Sequence, residues 1–188
     1  MQYGWTADQR TDLNDALTLG RVIAQSRNLY TVQTAETQVQ AQVTGRFMNR
    51  AVVPTDYPAV GDWVQLQLRD PAATSGMIEV LLPRTSVFTR KAAGTSSLRQ
   101  VVAANVDTVC ICMALDGNFN VRRLERYMAV ARDSSAQPCV VLTKADLAQN
   151  LAQQLTDVAL VAGDAQVLVC DATRADGWQE LTAILQPQ

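Results

Sequence analysis

The side chains with the clearest chemical potential follow a short apolar run in the second half of the chain. Val140-Val141-Leu142 leads directly into Thr143-Lys144-Ala145-Asp146. Such runs are typical of a buried parallel strand, and ligands bind at the carboxyl ends of these strands in open α/β sheets. A carboxylate at Asp146 could accept two hydrogen bonds from guanine, while the stem of Lys144 lies flat on the base. An ordinary strand end, with Asp146 capping the next helix, explains the same residues, so both interpretations stay open here.

The cysteines indicate a different, structural role. Cys110 and Cys112 alternate along one apolar run, and Cys139 and Cys170 lie in two others. This distribution is typical of buried free thiols and not of a disulfide framework. Because the chain contains no histidine, a metal site at the Cys-x-Cys pair is not predicted.

Length and composition restrict the class of protein. The chain has 188 residues, of which 48% are hydrophobic, which suffices for one large or two small globular domains. No apolar run is long enough to cross a membrane, so no membrane partner is predicted. The first residues, Met1-Gln2-Tyr3-Gly4-Trp5, lack a basic region followed by an apolar one. A cytoplasmic protein without a secretory signal is therefore expected.

Charge is distributed unevenly along the chain. Residues 84–100 contain four basic side chains and no acid, whereas the segments on either side both carry more acids than bases. A basic connector that contains glycine and serine can contact phosphates, but it can equally be a solubilising linker. We expect a domain boundary inside this segment.

Residues 1–83 read as a small barrel. Five short, alternating, β-branched stretches predict strands at 19–24, 29–34, 37–43, 58–68 and 76–83. Five antiparallel strands in about 65 residues suit a closed barrel, of which the oligonucleotide-binding (OB) fold is the commonest design, with an SH3-like barrel as the alternative. Such barrels bind RNA through basic and aromatic side chains. The candidates are Tyr30, Arg46, Phe47 and Arg50, although Phe47 suits a core position equally well.

Beyond residue 100 the pattern changes to an alternation of strands and helices. Strands are predicted at 106–115, 138–143 and 166–170, and helices at 120–132, 147–162 and 176–185. Three βα units in succession predict three parallel strands with right-handed crossovers. The expected organisation is a barrel at 1–83, a basic linker at 84–100 and a partial α/β domain at 101–188.

Several separate segments resemble one family in the same order. They are Leu82-Pro83-Arg84, the basic run 86–94, Leu115-Asp116-Gly117-Asn118-Phe119-Asn120, Arg123-Leu124-Glu125-Arg126-Tyr127 and the 143–146 motif. Together they resemble the N-terminal portion of the ribosome-small-subunit-dependent, circularly permuted GTPases, the RsgA/YjeQ family. Thr143-Lys144-Ala145-Asp146 stands where the family has Asn-Lys-x-Asp, and Asp171-Ala172 stands where it has Ser-Ala.

The resemblance implies a GTPase that acts in late small-subunit biogenesis. Guanine would be bound by Thr143, Lys144, Asp146, Asp171 and Ala172, within a site that takes GTP or GDP with magnesium. The partner would be the small ribosomal subunit and its rRNA, contacted by the barrel and by basic residues of the linker. These linker candidates are Arg84, Arg90 and Lys91.

Other features of the family do not occur in these 188 residues. There is no Gly-x-x-x-x-Gly-Lys-[Ser/Thr] phosphate loop and no Asp-x-x-Gly after a strand. The resemblance places zinc ligands only in a further C-terminal region. We therefore expect a fragment of a longer GTPase that binds nucleotide weakly and is itself inactive, with no catalytic residue of its own. The alternative is a non-enzymatic OB-fold RNA-binding module with a vestigial half G domain.

Two further expectations concern the second half of the chain. Thr143 can replace only one of the bonds of the usual asparagine, and Asp171 puts a carboxylate near the base, so guanine affinity should be reduced. The strand at 106–115 would be an exposed parallel edge, which favours an edge-strand homodimer.

Overall fold

The computed structural model describes residues 13–91 and 99–185. The chain divides into two compact units, Met1–Val106 and Asp107–Gln188. The first unit is a barrel with an added β-hairpin, and the second is a parallel sheet with helices. The polar residues 6–16 predict a short helix or a loose arm, and most of this segment lies outside the described residues. Its described end, from Leu13, forms a turn in which the Leu17 N–H donates to the Asn14 carbonyl over 3.0 Å.

Five strands close the barrel. They are β1 (Thr18–Ser26), β2 (Leu29–Thr34), β3 (Gln38–Val43), β4 (Trp63–Leu68) and β5 (Ser75–Leu81). Their order around the barrel is β1-β2-β3-β5-β4, and only the β3–β5 pair is parallel. A short helix, α1 (Gly45–Arg50), lies between β3 and β4. The closed five-stranded barrel with a helix at this point confirms the OB fold and excludes the SH3-like alternative.

Period-two alternation determines which side chains fill the barrel. In β3 the glutamines at 38, 40 and 42 are exposed, and Val39, Ala41 and Val43 are buried. The other strands add Val22, Val32, Val64, Leu66 and Ile78 to the same core. Because full burial of such side chains contributes about 1.5–3 kcal/mol each, this core is a main source of the barrel's stability.

The segment expected to be a linker forms part of the first unit. β6 (Val87–Lys91) pairs with β7 (Arg99–Ala104) in an antiparallel hairpin. The hairpin is joined to the barrel because the Ala104 N–H donates to the Val60 carbonyl over 2.9 Å and the Asn105 amide donates to the Gly61 carbonyl over 3.1 Å. At Gly61, φ is +93° and an added Cβ would lie 2.0 Å from the Ala104 carbonyl oxygen. The division of the chain therefore follows Val106, later than the predicted boundary within 84–100.

The second unit contains three parallel strands. They are β8 (Thr108–Ala114), β9 (Gln137–Thr143) and β10 (Gln166–Val169), in the order β10-β9-β8. The helices are α2 (Val121–Asp133), α3 (Leu151–Ala162) and α4 (Gln179–Ile184). The side chain of Asn120 caps α2 by accepting a hydrogen bond from the Arg123 N–H, and that of Asn150 caps α3 by accepting one from the Gln153 N–H. A 3-10 turn, Ala145–Leu147, follows β9, so α3 begins later than the predicted residue 147.

Helices cover the two faces of this sheet unequally. On one face Ile111, Met113, Val140 and Leu142 pack with residues of α2 and α3, such as Leu124, Met128 and Val158. On the other face Cys139, Val141, Leu168 and Cys170 are buried, with Leu181 and Ile184 of α4 beside them. Cys110 is half-buried and Cys112 is exposed. The expectation that all four thiols are buried is therefore wrong at Cys112.

The helices that the structure describes include none that is long and apolar enough to cross a membrane. In the sheet of the second unit, β8 has β9 as its hydrogen-bonded neighbour and forms one edge.

Candidate functional site

The carboxyl ends of β9 and β10 meet at one open cavity, and β8 ends beside β9. The Leu115 N–H donates to the Thr143 carbonyl over 2.8 Å, and the Ala145 N–H donates to the Cys170 carbonyl over 3.3 Å. The cavity has a volume of about 410 Å³. It is lined by Ala145, Asp146, Val169, Asp171, Arg174, Asp176 and Gly177. The parallel sheet thus brings together two residues that the sequence predicted separately, Asp146 and Asp171.

Asp146 presents a free acceptor at this cavity. It lies in the 3-10 turn directly after β9 and its side chain is exposed. Its carboxylate accepts no hydrogen bond from any residue in the described ranges. Both oxygens are therefore available for donors on a ligand, which is the geometry needed to bind the N1–H and exocyclic amine of guanine.

Lys144 has an unusual backbone conformation, and its side chain contacts the loop after β8. Its φ and ψ are 57° and 46°, in the left-handed region that residues with a side chain seldom adopt. Its ammonium Nζ lies 2.7 Å from Oδ2 of Asp116, which follows the end of β8. This hydrogen bond raises the pKa of Lys144 and lowers the pKa of Asp116. Asp116 therefore fixes the direction of the Lys144 stem.

The loop after β10 is closed on itself. The Asp171 N–H donates to the Gly177 carbonyl over 2.9 Å, and an added Cβ at Gly177 would lie 1.8 Å from the Asp171 carbonyl oxygen. Oδ1 of Asp171 accepts hydrogen bonds from the hydroxyl and the backbone N–H of Thr173, which lower the pKa of Asp171. The carboxylate is thus engaged inside the loop. The exposed Ala172 keeps its backbone N–H without an acceptor among the described residues.

Two residues of this loop were missed by sequence reasoning. Arg174 and Asp176 line the cavity, and their side chains form an ion pair at 3.4 Å. Their position in the loop that contains Asp171-Ala172 was a signal that could have identified them. Thr143, in contrast, is half-buried at the end of β9 and does not line the cavity.

The described residues contain no preformed cluster of metal-binding side chains. Over residues 13–91 and 99–185, no group of three or more carboxylate or cysteine side chains is placed to hold a metal ion. The described site offers the Asp146 carboxylate as an acceptor and the Ala172 N–H as a donor.

Two predicted RNA-contacting residues of the barrel are structural. Tyr30 is only 2% exposed and belongs to the barrel core. Arg84 donates through Nε and one terminal nitrogen to the fully buried Asp62 carboxylate, over 2.8 and 2.7 Å. It also donates to the carbonyls of Thr55 and Tyr57 over 2.7 and 2.9 Å. Because Tyr30 is buried and the donors of Arg84 are used inside the protein, the structure gives both side chains a role in the fold and leaves neither of them free for RNA.

The other barrel candidates lie at the surface to different degrees. Arg46 and Arg50 are exposed on α1. Phe47 is partly buried against the barrel core, with its ring centroid 6.1 Å from that of Tyr57. Arg90 is exposed on β6. Lys91 ends the same strand, and its side chain lies outside the described part of the structure.

Fold and site together define a class of protein. An OB barrel precedes a parallel α/β sheet that has an available aspartate at its carboxyl ends, an arrangement that combines an RNA-binding fold with a nucleotide-binding type of sheet. A family model described as RsgA GTPase matches residues 81–188. The chain belongs to the RsgA GTPase family, as its motifs predicted.

Relatives and solved structures agree with this assignment. The chain is 42% identical over 187 residues to the small ribosomal subunit biogenesis GTPase RsgA 2 of Lactiplantibacillus plantarum, covering 98% of this chain and 52% of that protein. It is 39% identical over 174 residues to the RsgA protein of Opitutus terrae, covering 89% and 47%. The chain thus spans about half the length of the curated relatives it matches.

The fold is shared with two crystal structures. YjeQ from Thermotoga maritima superposes with a TM-score of 0.68 at 21% identity, over 90% of this chain and 57% of that one. YloQ, described as a circularly permuted GTPase, superposes with a TM-score of 0.66 at 17% identity, over 98% and 60%. At these identities the similarity establishes the architecture of barrel and sheet.

Proposed function

We propose that this chain supplies the subunit-binding barrel and the guanine-selecting part of a GTPase that acts in small ribosomal subunit biogenesis. The observation that carries the proposal is the available Asp146 carboxylate beside the 171–177 loop, in a chain of the RsgA GTPase family. The names of its relatives support the ribosomal part of the proposal. A protein with this partner would work in the cytoplasm.

Base selection follows from the donors and acceptors at the cavity. Guanine offers N1–H and an amine to the two Asp146 oxygens, and its O6 can accept from the Ala172 N–H. Adenine lacks both donors on that edge and would leave the carboxylate unpaired. A site of this kind discriminates by about 2–4 kcal/mol, or roughly 30- to 1,000-fold. Lys144, aligned by Asp116, would cover one face of the base.

Tight binding and hydrolysis need groups that these residues do not provide. Most of the affinity and all of the catalysis in such enzymes come from contacts to the phosphates and magnesium. Because no phosphate loop occurs in the sequence and no metal-binding group lies among the described residues, we propose that the 188 residues alone bind guanine nucleotide weakly and do not hydrolyse GTP. GTP and magnesium would be held by further residues of the complete GTPase, where any zinc site would also lie.

The test is a protein-observed NMR titration of the chain with GMP, AMP and XMP. We expect GMP to shift the amides around 146 and 172, with a dissociation constant in the millimolar range, and AMP to have little effect. Asp146→Asn should reverse the preference toward XMP, because the new amide can donate to the xanthine O2. Equal binding of GMP and AMP would refute the assignment of Asp146. Micromolar binding of GDP would refute the claim that the chain lacks phosphate contacts.

The barrel would bind rRNA through its exposed cations. Arg46 and Arg50 on α1 and Arg90 on β6 are the described candidates, with Lys91 beside them in sequence. Removing the charges of Arg90 and Lys91 should reduce the salt dependence of binding to small subunits by about one unit of slope per cation. An unchanged slope of log affinity against log salt would show that Arg90 and Lys91 do not contact RNA phosphates and that segment 84–100 is structural.

The non-enzymatic alternative is favoured by one observation, the missing phosphate loop. In that case the barrel would bind RNA and the sheet would be vestigial. A coding sequence that continues into Gly-x-x-x-x-Gly-Lys-[Ser/Thr] would exclude this alternative.

Self-association is proposed at the edge strand β8. In the described sheet its neighbour is β9, and edge strands offer unpaired backbone groups to a second copy. Sedimentation of the chain across a concentration series should show a monomer–dimer equilibrium. A Thr108→Pro variant, which introduces a residue without an N–H at the edge, should shift it toward monomer. A wild-type chain that stays monomeric throughout would refute the proposal.

A further inference from the structure

The outer face of α2 concentrates positive charge in an otherwise acidic unit. Residues 107–188 contain six basic and ten acidic side chains, yet three of the six bases, Arg122, Arg123 and Arg126, lie within five positions of α2. Arg122 and Arg126 are one helical turn apart, so both point to the same side. We call Arg122, Arg126 and the adjacent Tyr127 the α2 stripe.

The two arginines of the α2 stripe lack partners on the protein. The remaining cations of the unit donate to groups nearby, and these cations are Arg123, Arg132, Lys144 and Arg174. Arg122 and Arg126 are exposed and form no hydrogen bond or ion pair with any residue of the described ranges. Glu125 lies between them in sequence and does not pair with either. Their charges are thus available to an external anion.

The position of one of the two, Arg122, opposes the stability of the helix. The first turn of α2 contains Arg122 and Arg123 and no acidic residue. Positive side chains are unfavourable there, because the N-terminal end of a helix already carries partial positive charge. Residues that break a local rule without a compensating contact concentrate at functional sites. A binding role explains why the sequence keeps cations at this place.

An aromatic side chain completes the α2 stripe. Tyr127 follows Arg126 in sequence and is 50% exposed. Unpaired cations next to an accessible aromatic ring match RNA, whose phosphates accept from arginine and whose unstacked bases lie on aromatic rings. We propose that the α2 stripe is a second RNA-binding surface of this chain, separate from the barrel. It rests on the proposed function for the identity of the RNA, which would be rRNA of the small subunit.

Binding of the full chain to purified small subunits, and to deproteinised rRNA from them, over a salt series tests this surface. We expect Arg122→Gln/Arg126→Gln to weaken binding about tenfold or more near 0.1 M salt and to lower the log–log salt slope by about 1.5–2. Tyr127→Leu should weaken binding about tenfold with an unchanged slope, because stacking carries no charge. Arg132→Gln is the control for charge lost at the other end of α2; it removes one charge, half of what the double variant removes, together with the donor to the Ala162 carbonyl.

The melting temperature separates loss of binding from loss of fold. The double variant should melt at the same or a slightly higher temperature than the wild type, because it removes the unfavourable charge of Arg122 from the first turn of α2. If the wild type binds subunits and the double variant binds with the same affinity and slope, the α2 stripe is not an RNA site, although the proposed function stands. An effect seen with intact subunits but not with deproteinised rRNA would assign the surface to a ribosomal protein and overturn the RNA assignment. A wild-type chain that fails to bind either would instead refute the ribosomal part of the proposed function.

Discussion

Replacing Arg84 tests whether this residue acts in the barrel or on RNA. In Arg84→Met the buried Asp62 carboxylate loses both of its guanidinium donors. Among the described residues it keeps one donor, the Ala59 N–H, whose nitrogen lies 2.7 Å from Oδ2 of Asp62. The carbonyls of Thr55 and Tyr57 lose a donor as well. Breaking one side of a buried ion pair costs about 3–5 kcal/mol, because the remaining charge stays buried without compensation. This is a large part of the total stability of a small domain, which is about 5–15 kcal/mol.

Trp63 provides the signal for this measurement, because it is a buried barrel residue at 5% exposure. In a background with Trp5 and Trp178 replaced by phenylalanine, urea unfolding followed by fluorescence reports on the barrel alone. We expect Arg84→Met to lower the unfolding free energy by about 3–5 kcal/mol, and Arg84→Lys by less, because lysine keeps the charge but not the two-pronged geometry. Arg46→Met, on exposed α1, is the matched control and should change it by less than about 0.5 kcal/mol. If Arg84→Met left stability intact but weakened RNA binding, our assignment of Arg84 to the barrel would be refuted.

Three further predictions concern the second unit. The Asp116 carboxyl should have a pKa below its ordinary value of 3.8, because it accepts a hydrogen bond from Lys144. The contact is then present above that pH and is lost as the pH falls through the lowered pKa. Carboxyl-carbon NMR measures this pKa, and an ordinary value in the wild type would contradict the contact. Iodoacetamide should label the exposed Cys112 first and the buried Cys139 only after unfolding, because burial raises the pKa of Cys139 to about 11. Mass spectrometry gives the order of labelling. Early labelling of Cys139 would show that this face of the sheet is open to solvent. Gly177→Ala should distort the 171–177 loop, because its Cβ would clash with the Asp171 carbonyl, and should abolish the GMP-induced NMR shift at Ala172. Gly117→Ala, at a position with open space around it, is the control and should keep the shift. Equal shifts in both variants would mean that the close approach of Gly177 to Asp171 is not needed.

Much of the fold could be predicted because local pattern and tertiary environment agree. The barrel strands and the three parallel strands follow from alternation and from continuous apolar runs. Helix α1 was missed because its six residues have no apolar period and contain a glycine and an asparagine, so packing at the end of the barrel decides it. The hairpin of β6 and β7 was missed because its basic residues were interpreted as a linker. The run Val101-Val102-Ala103-Ala104 was the available signal for a strand.

The functional residues divide in a similar way. Asp146 and the 171–172 loop were predictable, since each directly follows a strand of the same parallel sheet. Arg84 was misread because its partner Asp62 lies 22 residues earlier, and a count of charges does not show which cations are paired inside the protein. Tyr30 was misread because an aromatic residue suits RNA stacking as well as a core, although Tyr30 shares the alternation phase of the buried Val32 in β2. Asp116 became identifiable as the partner of Lys144 only from three-dimensional contact across neighbouring strands.

The left-handed backbone at Lys144 means that selection for stability and selection for ligand binding favour different residues at this position. A side-chain-bearing residue in this conformation carries a cost of about 1–2 kcal/mol that glycine would avoid. A laboratory screen that scores only heat resistance should therefore accept glycine or asparagine at position 144, whereas a screen that scores guanine-nucleotide binding should keep lysine. Thermostabilised descendants of this chain would then drift away from nucleotide recognition at this residue, and a library that combines both screens should recover Lys144 together with Asp116 as a pair.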